Sequence, residues 1–200
     1  EEWDATPTVR VTADLAWRHQ GYDMRDDVFD GIRFEQPYNF ALPRLGVTWT
    51  PRNAWSAFAS YAYASREPSF RDLYDAEFVG AVPLFAHVDP ATNVWTDPLI
   101  NPERVQDLEL GGAWRGATSN VTVNLFRMNF RDELVFAGQF DTDLGYPILG
   151  NAARSVHQGI ELEARQALRL RANARVTVEG SATLSDNYFV EYTEQYGPTP

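Results

Sequence analysis

Side chains that could bind a bulky ligand are concentrated in one long segment of the sequence, residues 67–103. The segment combines a single arginine with a histidine and several aromatic rings, namely Arg71, Tyr74, Phe78, Phe85, His87 and Trp95. Aromatic rings with one or two polar groups suit a ligand that needs both stacking and orientation. We therefore predict that ligand contacts come from this segment. The alternative is that the same rings pack the segment against itself.

Two clusters of aspartates carry the oxygen ligands that calcium prefers. The clusters comprise Asp23, Asp26, Asp27 and Asp30, and Asp141 and Asp143. Neither follows the spacing of an EF-hand, so we expect ordinary solvated loop carboxylates and no resident metal. Weak calcium binding, or a divalent bridge to anionic lipopolysaccharide at a cell surface, is the alternative.

The sequence lacks the motifs of an enzyme. His19, His87 and His157 are scattered, and no two have metal-ligand spacing. His157 shares a face of a predicted strand with Glu161 and Glu163, where it could be a relay or a ligand, but a hydrogen-bonded structural histidine explains it. There is no cysteine, serine-centred elbow, phosphate loop or zinc signature. We expect no catalytic residue, no enzymatic activity and no cofactor.

The bulk composition excludes some partners and favours others. The net charge is −11 and every basic residue is an arginine, so a nucleic-acid partner is not expected, because phosphate binding needs a basic surface. Aromatic residues make up 14% and include six tryptophans, which is typical of proteins with aromatic belts at a membrane interface. No apolar run approaches the roughly 18 residues of a spanning helix.

Alternation with period two predicts strands along the whole chain. In SVHQGIELEAR, residues 155–165, one face is apolar and the other carries Glu161 and Glu163. The pattern predicts seven strands, over residues 8–19, 40–50, 54–66, 104–115, 119–131, 155–165 and 172–186. In the fifth strand the apolar phase slips between Leu125 and Phe126, which predicts a β-bulge.

The connections between these strands alternate strictly in length. Residues 20–38, 67–103 and 132–153 are long and carry net charges of −3, −6 and −4, whereas residues 51–53, 116–118 and 167–171 are short. In an up-and-down meander, every second connection lies on the same side, so one end has tight turns and the other has acidic loops. The pattern predicts an all-β fold, an antiparallel up-and-down transmembrane β-barrel with short periplasmic turns and long outer loops.

Tryptophans fall at both ends of the predicted strands. Trp49, Trp55 and Trp114 lie beside short turns, and Trp17 lies near an outer strand end. Tryptophans at both ends of lipid-facing strands form the girdles of a membrane barrel. We therefore predict that the apolar strand faces meet lipid.

Four segments, in order, resemble the TonB-dependent outer-membrane receptor family. They are SREPSFRDLY at 65–74, DPLINPERVQDLELG at 97–111, NLFRMNFRDELV at 124–135 and LGNAARSVHQGIELEAR at 149–165. Asp97 stands where the family commonly has Asn, Ile100 where it has Leu, and Ala152 and Ala153 where it has Ile-Gly. The resemblance extends over roughly residues 43–186.

The resemblance implies a large barrel of 22 strands with a filled lumen, of which residues 1–200 would be a part of about seven strands, without the plug domain and the C-terminal strand. It further implies a bacterial outer-membrane receptor that takes up a scarce nutrient by active transport, most often a ferric siderophore. The expected partners are outer-membrane lipid, a TonB-type energy-coupling protein contacted through the missing N-terminal part, and a siderophore or similar small ligand. A passive porin-like barrel and a soluble β-sandwich binding domain are the alternatives.

Overall fold

A computed structural model describes residues 1–77, 80–140, 147–171 and 174–192, with the backbone alone for 137–140 and 147–149. The described residues form one short helix, α1, and ten strands. Their bounds are β1 Glu2–Thr6, β2 Val9–Met24, β3 Phe34–Arg52, β4 Trp55–Arg66, α1 Phe70–Leu73, β5 Phe85–Asp89, β6 Val94–Pro98, β7 Glu103–Arg115, β8 Ser119–Phe140, β9 Pro147–Arg171 and β10 Ala174–Glu191. No helix in these described ranges is long and apolar enough to cross a membrane.

Eight strands form a single antiparallel meander in the order β1-β2-β3-β4-β7-β8-β9-β10, and β5 and β6 form a separate hairpin. Residues 7–8, 53–54 and 116–118 connect strands at one end of the sheet, where β9 also ends and β10 begins; we call it the short-turn end. Residues 25–33 and 67–102 connect strands at the opposite, long-loop end, where β8 also ends and β9 begins. The predicted segregation of short and long connections is confirmed.

The two faces of the sheet differ in chemistry because the strands pair in a consistent register. One cross-strand row contains Trp3, Val11, Val47, Ala59, Leu110, Leu125, Ile160 and Leu184. We call the face with Ile160 the apolar face, where Leu110 is 56% and Leu184 76% exposed. The opposite, polar face carries Glu161, which neighbours Asn124 on β8 and Thr183 on β10.

The strands are more numerous and longer than the alternation predicts. The sequence pattern missed β1, so the sheet has eight strands instead of seven. The predicted loop 132–153 is also wrong, since β8 continues to Phe140 and β9 begins at Pro147. The reason is local: Asp132 has a φ of 54°, which interrupts the alternation without ending the strand. The side-chain amide of Asn151 on β9 donates to the Asp132 carbonyl at 2.7 Å and holds the pair together.

The β-bulge predicted between Leu125 and Phe126 is absent, because the β7–β8 register runs without a shift from Arg104–Arg131 to Arg115–Asn120. The change of apolar phase has another cause. Phe126 lies on the polar face, where its ring covers Gly159. On the apolar face, Arg127 hydrogen-bonds Gln158 at 2.9 Å, and Gln158 in turn donates to Asp186 at 3.4 Å.

Two prolines lie inside β3 without breaking it. The described β3–β4 pairing begins at Arg44, so the part of β3 with Pro37 and Pro43 pairs with β2 alone. Proline is tolerated on such an edge because its missing N–H leaves no ladder bond unmade. The free edge leaves room beside β3 for the long loops.

Candidate functional site

The two longest described connections at the long-loop end are joined into one unit, residues 25–33 and 67–102, which we call the two-loop body. The Gly80 amide donates to the Asp30 carboxylate at 2.9 Å, and the Asn93 side chain donates to the Asp30 carbonyl at 2.8 Å. The Trp95 amide donates to the Arg33 carbonyl at 2.8 Å, and the Arg33 amide donates to the Asn93 carbonyl at 3.1 Å. These bonds hold the β5–β6 hairpin against the start of β3.

A hydrophobic cluster fills the two-loop body. Its buried members are Ile32, Phe34, Leu73, Tyr74, Phe85 and Ile100. The Phe34 and Phe85 rings lie 4.9 Å apart, and Leu73 is fully buried. Tyr22 and Met24 of β2 pack against the cluster. Both lie on the polar-face side of β2, so the body covers the polar face at the long-loop end.

Polar contacts anchor the second loop to the sheet where β4 ends. Arg18 of β2 pairs with Glu67 and also donates to the Ser65 carbonyl at 3.2 Å. The Tyr22 hydroxyl donates to the Pro68 carbonyl at 3.0 Å. Immediately afterwards, Ser69 and Asp72 form a reciprocal capping box that starts α1. The first residues of the loop are therefore fixed.

The six predicted ligand-contact residues occupy different environments. Tyr74 and Phe85 are 2% and 5% exposed, and pack in the hydrophobic cluster. Trp95 is half-buried and donates its ring N–H to Asn93 at 2.9 Å. Arg71 forms an ion pair with Asp75 at 3.1 Å. Phe78 lies outside the described residues.

His87 is the most exposed of the described candidates. Its side chain is 72% exposed, and its Nδ1 atom lies 3.0 Å from an Asp97 carboxylate oxygen across the β5–β6 hairpin. The pair is at the surface of the two-loop body, where a ligand can reach it. A role in ligand contact for any of the six remains a prediction.

The pKa values of two side chains in the loops are shifted by their surroundings. Burial, reinforced by the Asp27 carboxylate, raises the pKa of Tyr74 to about 12, so that ring stays neutral. Hydrogen bonds from the Ala91 amide and the Thr92 hydroxyl lower the pKa of Asp89. The same bonds hold the turn between β5 and β6 in place. Both shifts belong to residues that shape the loop.

The aspartates considered for calcium have structural partners in the first loop. Asp23 pairs with Arg25 at 2.8 Å and Asp26 with Arg33 at 3.5 Å. Asp27 accepts from the amide of Asp30 at 2.7 Å. Within the described ranges, no three acidic or histidine side chains come together as a metal site. Asp141 and Asp143 lie outside those ranges.

His157 lies on the polar face, as predicted, but its acidic neighbour is Glu133 and not Glu161. The His157 Nε2 atom lies 3.2 Å from a Glu133 oxygen, and the Phe130 and His157 ring centroids are 4.8 Å apart. Ser155 donates to the same carboxylate. The serine and the histidine of β9 both contact this carboxylate of β8, so the group links the two strands.

A second group on the polar face was not predicted and lies directly below the two-loop body. Tyr38 and Phe40 of β3 stack with ring centroids 6.2 Å apart, and the Arg18 guanidinium lies 5.0 Å from the Phe40 ring. The Tyr38 hydroxyl and the Arg18 Nε are buried without a hydrogen-bond partner in the described part of the chain. Stacking rings with polar atoms free to bond are suited to ligand contact. Sequence reasoning placed Tyr38 in a loop and so could not find them.

Comparison with known proteins gives one family and a set of related folds. A family model described as TonB dependent receptor-like, beta-barrel matches residues 1–198. A comparison with curated proteins finds no match.

Several solved structures share the fold. The copper transporter OprC superposes with a TM-score of 0.69 at 13% identity, over 95% of this chain and 27% of that one. The FrpB iron transporter from Neisseria meningitidis gives a TM-score of 0.60 at 22% identity, over 92% and 24%. The ferric yersiniabactin uptake receptor FyuA from Yersinia pestis gives 0.59 at 16% identity, over 96% and 26%. The chain thus spans about a quarter of the length of these proteins.

Proposed function

Because the chain belongs to the TonB-dependent receptor family, in the part that forms its β-barrel, we propose that its protein takes up a scarce nutrient across the bacterial outer membrane by TonB-dependent active transport. A ferric siderophore is the first candidate for the ligand. In this proposal residues 1–200 are part of a larger barrel. The plug and the segment that contacts the TonB-type protein lie elsewhere in the protein.

The two-loop body is the observation that carries the proposal. It covers the polar face at the long-loop end, where an incoming ligand would first meet the barrel. Its buried aromatic rings pack the body into a defined shape, and its polar anchors fix it to β2 and β4. A channel that only sieves solutes needs no such packed unit above its polar face, so the body favours a ligand-binding receptor.

The apolar face supports the membrane location. Large apolar side chains are exposed there on strand after strand, as in the row through Leu110, Leu125 and Ile160. A soluble β-sandwich would cover such a face with a second sheet, whereas the eight described strands form one open meander. Exposed apolar faces and polar opposite faces are typical of strands in outer-membrane barrels.

Uptake measurements on cells that carry the complete protein test the function. We expect more protein in the outer membrane when iron is chelated, and accumulation of iron-55 from a ferric hydroxamate, catecholate or carboxylate siderophore. Accumulation should stop when the protonmotive force is collapsed or the TonB-type protein is deleted. Uptake that survives both treatments would identify a passive barrel, and absence of uptake would contradict iron transport.

His87 provides the residue-level test within the two-loop body. His87→Ala should weaken binding of the transported ferric siderophore by roughly tenfold, because a bond from a charged or polar group to an anionic ligand is lost. Val88→Ala on the same strand is the matched control and should bind normally. Titration by quenching of tryptophan fluorescence measures both variants. Equal affinities would remove His87 from the ligand site.

A further inference from the structure

The Arg18 side chain of β2 shows which groups of the polar face can bind a cation. Its guanidinium carbon lies 5.0 Å from the centre of the Phe40 ring, and the guanidinium also forms an ion pair with Glu67. The Tyr38 ring stacks on Phe40, with the ring centroids 6.2 Å apart. Aromatic faces and carboxylates bind guanidinium and ammonium groups alike. We call Tyr38, Phe40 and Glu67 the cation site.

Two polar atoms at the cation site have no partner. The Nε atom of Arg18 and the hydroxyl of Tyr38 are buried and make no hydrogen bond within the described ranges, and Tyr38 is only 5% exposed. Tyr38 also contacts the Tyr22 ring, with centroids 6.2 Å apart, and the Tyr22 hydroxyl donates to the carbonyl of Pro68, the residue after Glu67. The unpaired hydroxyl and the carboxylate therefore belong to one network of contacts, which Arg18 satisfies only in part.

An ammonium group suits the cation site better than the guanidinium does. It is more compact, and its three N–H donors turn freely about the C–N bond. It can donate to the Glu67 carboxylate beside the Phe40 ring and keep a donor for the hydroxyl oxygen of Tyr38, so no buried N–H is left unpaired. Arg18 can make room, because its side chain is 41% exposed and can turn outward.

The two-loop body above the cation site has an excess of negative charge. It contains nine acids and three arginines, which gives a net charge of −6, and the chain has no lysine. Each of these arginines has an acidic partner in the described part of the chain: Arg25 pairs with Asp23, Arg33 with Asp26 and Arg71 with Asp75. A surface with charge of one sign raises the local concentration of ligands with the opposite charge. The body therefore favours the approach of a cationic group.

We propose that the ligand carries a free ammonium group, which the acidic two-loop body attracts and the cation site binds in place of Arg18. The inference rests on the proposed function and names the class of siderophore. A ferric trihydroxamate with a pendant amine has a neutral core and a free cation, whereas a ferric tricatecholate is a trianion that the carboxylates repel. The chelating oxygens of a hydroxamate are themselves anionic donors, so the expected contact with His87 is unchanged.

The test compares two ligands that differ only in the ammonium group. Ferrioxamine B is a ferric trihydroxamate with one free ammonium group, and acetylation of its amine removes the charge. Both are titrated against the complete protein by quenching of tryptophan fluorescence. The variant is Arg18→Ala. The matched control is Arg10→Ala, since Arg10 is also ion-paired and lies on the same face of β2, nearer the short-turn end.

We expect the wild-type protein to bind ferrioxamine B about tenfold more tightly than its acetylated form, because a charged hydrogen bond is lost on acetylation. Arg18→Ala should strengthen the binding of ferrioxamine B by about threefold or more, because the competing guanidinium is gone. It should leave the acetylated form unchanged, and Arg10→Ala should alter neither. Unchanged or weaker binding of ferrioxamine B to Arg18→Ala would overturn the cation site.

A second variant serves if Arg18→Ala does not fold. Phe40→Leu keeps an apolar side chain but removes the aromatic face, and it should weaken the binding of ferrioxamine B by about tenfold without affecting the acetylated form. Equal losses for both ligands would show that Phe40 does not contact the ammonium group.

The outcomes also separate this inference from the proposed function. Energy-dependent uptake of iron-55 from a catecholate, with no binding of either trihydroxamate, would overturn the inference and leave active transport intact. The expected binding of ferrioxamine B without its uptake would support the cation site and contradict only the transport proposal.

Discussion

At the scale of single residues, glycines on the polar face provide space for aromatic rings. A Cβ on Gly159 would lie 2.8 Å from the Phe126 ring and 2.4 Å from the Leu184 carbonyl oxygen, closer than real contacts allow. We expect Gly159→Ala to destabilise the barrel by about 1–3 kcal/mol and to lower the temperature at which the folded band is lost in SDS gels. Gly180→Ala is the control, since nothing lies within 4 Å of that position. Equal melting of the two variants would show that the ring can move away.

Residue-level patterns predicted the faces of the strands better than the roles of the rings. Glu161 and Ile160 lie on opposite faces, as the alternation predicts, because period two is a local property of a strand. The role of Phe85 could not be read locally, because an aromatic ring serves equally for ligand stacking and for packing. Its neighbour Phe34 is the first residue of β3, and only the fold brings the two together.

At the scale of elements, the packing of the two-loop body should decide whether the loops are rigid. Leu73 is fully buried in its cluster, whereas Val82 in the same loop is 70% exposed. Leu73→Ala should cost about 2–5 kcal/mol of local stability because it leaves a cavity, and proteases added to intact cells should then cut the loop faster. Val82→Ala should leave the cleavage rate unchanged. A rate unaffected by Leu73→Ala would mean that the polar anchors alone hold the loop.

The sequence locates most short-turn ends of the strands well and the long-loop ends poorly. The short connection predicted at residues 167–171 is wrong, because β9 continues to Arg171. The turn at residues 116–118 is found as predicted, because the alternation stops there on both strands. At the other end, Tyr22, Phe34 and Tyr38 place aromatic rings on the polar face, so alternation fades although pairing continues. The strands extend beyond their amphipathic part, and that extension supports the two-loop body.

At the scale of the whole molecule, the depth of a residue on the apolar face should set how well a charge is tolerated there. Ile160 lies in the row of Leu110 and Leu125, between Arg154 on the long-loop side of β9 and the tryptophans of the short-turn end. Ile160→Arg should therefore cost about 2–4 kcal/mol, the value for an arginine facing lipid at the bilayer midplane, and should reduce the folded protein in the outer membrane.

Two controls separate depth from charge. Val190 is half exposed and directly precedes Glu191, the register partner of Arg154, so in the proposed membrane placement it lies near the outer headgroups. Val190→Arg should cost only about 0–1 kcal/mol, because the guanidinium reaches the interface. Thr177→Arg, on the polar face, should also be tolerated. The folded fraction in outer-membrane preparations measures all three, and equal assembly would mean that the apolar face does not meet lipid. If the folded fraction falls most for Ile160→Arg and least for the two controls, the result would locate the lipid-facing part of the sheet without reference to any ligand.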